Sequence, residues 1–234
     1  MALDHLYRYH LMEWHQGRTH YPVPLHWDAQ RRQTRRAADP GISYQRALGA
    51  YADYLESCDR QFIEGDEPEA VTRWLLEERT VLDLVEETAA VVMAGAPSPL
   101  ARIGWAARNI LQLMHRHKPW ARLAGAGLTH ARQQGDRRGE ANCLESLGDL
   151  KLRVSDLEGA RGDYQKALSL YGKIKDRLGE ANCLKSLGDL KLRVSDLEGA
   201  RGDYEKALPL FREINARLGE ANCLKSLGLS LIHI

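Results

Sequence analysis

Cysteine is the residue type best suited to nucleophilic or metal chemistry, and in this chain it recurs at a fixed interval. Cys143, Cys183 and Cys223 stand 40 residues apart, with Cys58 alone upstream. A zinc site asks for spacings such as C-x2-C, and a disulfide framework asks for close pairs in an oxidising compartment. The interval offers neither, so the cysteines read as small buried residues at one place in successive units. His5, His10, His15 and His20 recur every five residues, but on a helix that step turns about 500°, whereas a helical metal pair needs three or four residues. They read as scattered surface and core histidines. Glu77, Glu78, Asp83, Glu86 and Glu87 form a solvated helix face with no paired environment. The sequence holds no G-x-x-x-x-G-K-[ST] loop, G-x-G-x-x-G, H-E-x-x-H, C-x-x-C or G-x-S-x-G. Catalysis, metal and cofactor are therefore not expected, and the chain reads as a non-enzyme.

The interval that spaces the cysteines spaces everything around them. Arg137–Tyr164 and Arg177–Tyr204 differ only at Arg138/Leu178 and Glu145/Lys185, and the same wording begins a third time before breaking off after Gly228. A period in the range of about 20–50 residues marks a solenoid, whose units cannot bury their apolar faces alone. Each unit reads as two helices. Ala141, Leu144 and Leu147 lie on one face of the first, capped by Asp136 or Asp176. In the third copy Ala216 replaces the aspartate, so that cap weakens or shifts to Asn215. The second helix carries Leu157, Ala160, Tyr164, Ala167, Leu168, Tyr171 and Ile174 at three-to-four spacing, with Ser155 and Glu158 spaced as a capping box. Gly148 and Gly188 fall inside helices, at a cost of about 1 kcal/mol each against alanine; repeated in each copy, that cost points to close helix contact.

On these residues a resemblance rests. Leu147-Gly148, Ala160, Tyr164 and Ala167, repeated as Leu187-Gly188, Ala200, Tyr204 and Ala207, are similar to the tetratricopeptide repeat. The common unit is shorter, about 34 residues, and Lys151 and Gly172 stand where an aromatic and a proline are usual. The long unit and the wording R-L-G-E-A-N-x-L-x-S-L-G-D resemble the repeats attached to bacterial signal-transduction ATPases of the NB-ARC type. The resemblance implies an all-α fold, a right-handed α-solenoid of helix pairs preceded by a helical N-terminal region. It implies a protein or peptide partner held in a concave groove lined by the first helices. Carried over position by position, the lining is Asn142, Glu145, Asp149 and Arg153, then Asn182, Lys185, Asp189 and Arg193, then Asn222 and Lys225. Ser146–Asp149 reads S-L-G-D where long-unit arrays that hold extended peptides often read N-L-G-N, which favours alternating Asp and Lys or Arg contacts over an asparagine ladder.

The remainder of the chain is read from periodicity and breakers. Met1–Gln16 reads as a short helix capped by Asp4, followed by a linker with Pro22 and Pro24. Arg31, Arg32, Arg35 and Arg36 form a basic cluster on a short helix. It supplies charge that a nucleic-acid regulator would need but no recognised binding module, and it reads as a solvated face. Tyr44, Ala47, Leu48, Tyr51, Tyr54, Leu55, Cys58 and Phe62 make an amphipathic helix over 42–63, and Val71, Trp74, Leu75, Leu82, Val85 and Val92 a second one. Tyr51, Tyr54, Leu55, Trp74, Leu75, Glu78 and Arg79 resemble the helical segment that precedes the repeats in those NB-ARC-type proteins. Helices are expected over Leu100–His117 and Pro119–Gln134. The domain reading is 1–40, an N-terminal helix and linker; 41–97, a helical segment; and 98–228, the array. Within the array, 98–135 is a degenerate repeat, 136–175 and 176–215 are full ones, and 216–228 is partial. Leu229–Ile234, L-S-L-I-H-I, resembles a translated sequencing adapter and reads as a non-native tail. With only a first helix, Leu218–Gly228, in the last unit, Leu208, Phe211 and Ile214 are expected to be partly uncovered, leaving room for self-association. A net charge of +1 gives no global case for nucleic acid or a membrane surface, and with no long apolar run or leader a cytoplasmic location is expected.

Overall fold

The structure is a computed structural model and describes residues 13–15, 18–20, 40–65, 82, 85 and 97–232. Its contacts divide into two compact units, 1–95 and 96–234. In the first, Glu13–His15 (β1) pairs antiparallel with Arg18–His20 (β2), with Trp14 opposite Thr19. The helix expected over Met1–Gln16 is thus corrected where it is described: residues 13–15 are extended. Aromatic and threonine side chains favour a strand, and a cross-strand pair rewards them; three residues are too few for an alternation to declare itself. Helix α1 spans Pro40–Glu64 and buries Leu48, Tyr51, Ala52, Leu55 and Cys58 at the expected spacing, while Ile63 at its end is 60% exposed. Leu82 and Val85 are helical. The Arg31–Arg36 cluster, Pro22 and Pro24, and the rest of the 71–92 stretch lie outside the described residues.

The second unit is a row of antiparallel helices: α2 (Pro99–Ala106), α3 (Arg108–Leu113), α4 (His117–Gln134), α5 (Arg137–Arg153), α6 (Leu157–Ile174), α7 (Arg177–Arg193), α8 (Leu197–Glu213) and α9 (Arg217–Ile232). Apart from the hairpin, the described fold is all-helical, and this unit is a helical solenoid. The helix expected over Leu100–His117 is interrupted at Ala107 and ends at Leu113.

A two-residue device makes these turns. At Ser155 the backbone enters the left-handed region (φ 64); its N–H donates to Leu152 O, and the next N–H, of Asp156, donates to Lys151 O. Those two bonds are a Schellman ending. The same residue Asp156 then caps α6, accepting from Gly159 N. His115, Gly135, Lys175, Ser195 and Asn215 repeat the left-handed step, and Asp136, Asp176 and Asp196 repeat the cap. Two expectations are corrected here. Ser155 does not cap α6, because it is the left-handed residue that ends α5, and the acceptor is Asp156 one place on. Asn215 likewise ends α8, so Ala216 heads α9 with no side-chain acceptor.

Between the helices the core is narrow. Ala141, Ala160, Ala167, Ala181, Ala200 and Ala207 are fully buried, as are the rings of Tyr164, Tyr204 and Phe211. Gly148 and Gly188 admit the tyrosines: a Cβ added at either would lie 2.6 Å from Tyr164 or Tyr204 respectively. Leu144 is buried with Ala141, whereas Leu147 is only half-buried. Leu208 (8% exposed) and Phe211 (0%) are covered, clustering with Cys223 of α9. That corrects the expectation that both stand partly open; among the three, Ile214 is at the surface.

Candidate ligand-binding groove

One cavity of about 660 Å³ opens along α3, α5, α7 and α9. Of the residues read from sequence as lining a groove, Glu145, Asp149, Arg153, Asn182, Lys185, Asp189, Arg193 and Asn222 line it. Asn142 and Lys225 do not. Sequence reading missed Arg108, Asn109 and Gln112 of α3, together with Ser186.

At the N-terminal end of the cavity the polar groups answer one another. Arg108 of α3 stacks on Trp105 at 3.9 Å and reaches Glu145 Oε1 at 3.6 Å and Asp149 Oδ2 at 3.5 Å. The Tyr164 hydroxyl donates to Asp149 Oδ1 (2.8 Å). The Tyr171 hydroxyl lies 2.7 Å from Asn142 Oδ1 and 2.9 Å from Glu145 Oε2, which turns Asn142 away from the groove. Burial raises the Glu145 carboxyl to about 7, against the pull of Arg108 and with a push from Asp149. A protonated Glu145 can donate to the tyrosine oxygen while the phenol donates to Asn142, so each proton has one acceptor. Burial also raises the Asp149 carboxyl, opposed by Arg108 and the Tyr164 hydrogen bond.

Toward the C-terminal end the same positions are less occupied. Lys185 stands where Glu145 stood and pairs within its own helix with Asp189 (2.7 Å), which also accepts from the Tyr204 hydroxyl (2.7 Å). Asn182, Ser186 and Asn222 make no side-chain hydrogen bond among the described residues. Ser146, the earlier counterpart of Ser186, accepts from Trp120 Nε1 at 2.8 Å; one period on, the tryptophan is Ala160. Arg153 and Arg193 are exposed at the rim, Arg193 donating once to Leu152 O (3.3 Å).

Two other clusters have the residue types of chemistry but serve structure. Ser98 Oγ lies 2.7 Å from His130 Nδ1, and Asp136 is close by. Yet the aspartate accepts from the Ser98 backbone N–H and caps α5, the serine caps α2, and the hydroxyl is fully buried. Among the described residues no carboxylate hydrogen-bonds the imidazole as a catalytic triad requires, its nitrogens facing Ser98 and Gln134; burial lowers the His130 pKa against the pull of Asp136. Cys143, Cys183 and Cys223 are buried free thiols, and burial pushes Cys143 up to about 12, away from the thiolate that reactivity needs. Among the described residues no group of His, Cys, Asp and Glu could hold a metal ion, and no helix is long and apolar enough to cross a membrane.

No curated protein matches this chain. Among solved structures, a crystal structure of BtubC (BKLC) from P. vanneervenii is similar over 89% of this chain and 85% of its own, at 17% identity and a TM-score of 0.54; a likeness at that identity carries the fold alone. Residues 139–213, which run from α5 to α8, match the family model described as Tetratricopeptide repeat, and the helix pairs and aromatic-on-glycine contacts of this segment agree with that similarity.

Proposed function

We propose that the chain is a scaffold that binds a protein or peptide in the groove of its first helices. The array, taken as 98–228, is the binding unit. Repeats of this family generally mediate protein interaction. The observation that carries the placement is the cavity itself, where half-buried Asn182 and Ser186 present an amide and a hydroxyl without side-chain partners among the described residues. A buried or half-buried polar group without a partner is costly, and an extended peptide, with one donor and one acceptor per residue, can satisfy several at once. The test is a photo-crosslinking side chain at Ser186. It should capture a protein or peptide partner, and the same group at Glu158, whose side chain is 80% exposed on the outer helix, should not; equal capture from both sites removes the groove from the proposal.

At finer grain, the chain is read as the sensor and interaction part of a larger bacterial signalling ATPase acting in the cytoplasm, with 41–97 as the helical segment that leads into the array. The wording R-L-G-E-A-N-x-L-x-S-L-G-D supports this. Adding the chain to an NB-ARC-type ATPase module should change its ATP hydrolysis, and an unchanged rate counts against that role.

A further inference from the structure

We infer that the groove accepts an extended peptide bearing acidic side chains, and that it reads this peptide from the 176–215 repeat onward, because the Tyr171 hydroxyl withdraws Asn142 while Phe211 cannot withdraw Asn182. This rests on the groove reading above and names the ligand's chemistry and its register. Tyr171 lies 29 residues after Asn142 and donates to it. Phe211 lies 29 residues after Asn182, is fully buried on the packing helix α8, and has no hydroxyl to offer. The loss of one oxygen between repeats leaves the second amide available to a ligand's backbone.

The charge balance follows from the pairs. Seven charged side chains line the cavity: Arg108, Arg153, Lys185 and Arg193 against Glu145, Asp149 and Asp189. Arg108 is taken by Glu145 and Asp149, and Lys185 by Asp189. What remains is Arg153 and Arg193, the same position in neighbouring repeats, both exposed. A guanidinium has five donors in a planar fork that fits a carboxylate, and Arg193 commits one of them internally. A basic peptide would meet these two cations with no carboxylate released to receive it; a neutral peptide would gain the amides but not the forks.

The test is fluorescence anisotropy of the full chain with three labelled peptides, alternating Glu-Ser, alternating Lys-Ser and alternating Gly-Ser. The Glu-Ser peptide should bind best and weaken with salt. Arg153→Ala with Arg193→Ala should weaken it by about tenfold or more. Asn182→Ala should weaken it as well and Asn142→Ala should leave it unchanged, whereas Tyr171→Phe should strengthen it and Asn142→Ala in that background should cancel the gain, with circular dichroism confirming that each variant folds. Preference for the Lys-Ser or Gly-Ser peptide, absence of Glu-Ser binding, or equal losses from Asn142→Ala and Asn182→Ala would overturn the inference. Capture through the crosslinker at Ser186 reports separately: if it persists while the Glu-Ser peptide fails, the groove reading stands and only the acidic ligand is lost.

Discussion

The repeats 136–175 and 176–215 share nearly all of their first 28 residues, yet the same side chains do different things in them. Ser146 holds an indole and Ser186 holds nothing among the described residues. Asp149 answers Arg108, and Asp189 answers a lysine of its own helix. Leu187 is 8% exposed in a cluster with Ala160 and Tyr164 of the preceding helix pair; Leu147 is half-buried, and one period before Tyr164 the residue is Ala124. A solenoid residue is defined by its neighbouring unit as much as by its own, so near-identical repeats become a closed end and an open end.

The largest test exchanges the one charged difference between them. Glu145→Lys makes the first repeat match the second but sets an ammonium beside Arg108 at a site 3% exposed. Leaving a buried charge without its counter-charge should cost about 3–5 kcal/mol. Lys185→Glu, half-buried beside Asp189, should cost about 1 kcal/mol or less. Equal losses in urea unfolding would mean that the repeats are interchangeable and the comparison empty. Glu145→Gln sharpens the point through pH. The Glu145 carboxyl is raised from 4.5 to about 7, so the folded chain holds this proton more tightly than the unfolded one. The stability it contributes is present below about 4.5 and is lost as pH rises through about 7. Glu145→Gln should therefore remove that slope and stabilise the chain by about 1–3 kcal/mol at about pH 8; an unchanged slope would place the proton elsewhere.

A smaller difference separates two leucines. Leu187→Ala should cost about 2–5 kcal/mol in lost transfer energy and residual cavity, and Leu147→Ala clearly less, because less of it is covered. Lys185→Ala should cost little beside either. Thermal unfolding that ranks the leucines together would show that Leu147 is covered as well as Leu187 is by Tyr164.

Much of this was legible before any coordinates, and the reason is physical. Helix periodicity survives substitution, so α1 could be read from Tyr51 and Leu55, and the pairs α5 to α8 from Ala141, Leu144, Tyr164 and Ala167 and their copies one period on. Gly148 and Gly188 announced a close contact because glycine inside a helix is costly, and the contacting tyrosine rings explain why the cost is tolerated. The cap was misplaced by one residue because serine and aspartate both cap well; only the backbone tells that Ser155 is left-handed. Arg108 was missed because a groove lining transferred by period finds only what the period repeats. One period on, its place is taken by Gly148, where the aromatic ring sits instead. Tyr171 and Phe211 differ in the sequence by one oxygen, and nothing but geometry shows that this oxygen ties down Asn142.

The smallest prediction concerns what the two repeats ought to share. Ser155 (φ 64) and Ser195 (φ 60) end α5 and α7 in the same left-handed conformation, with the same pair of backbone bonds, and both are exposed. A non-glycine residue there costs roughly 1–2 kcal/mol, and glycine would relieve it while losing more freedom on folding, about 0.5–1 kcal/mol. The balance favours glycine by about 0.5 kcal/mol at each site. Because the strain lies in the backbone of the residue itself and not in its neighbours, Ser155→Gly and Ser195→Gly should stabilise equally and add when combined. That equality is the counterpart of the unequal leucines and of the Glu145 exchange. If the two glycine variants differ in chemical denaturation by as much as the leucine variants do, the turns are not local devices, and the contrast between a shared backbone and divergent side-chain surroundings fails.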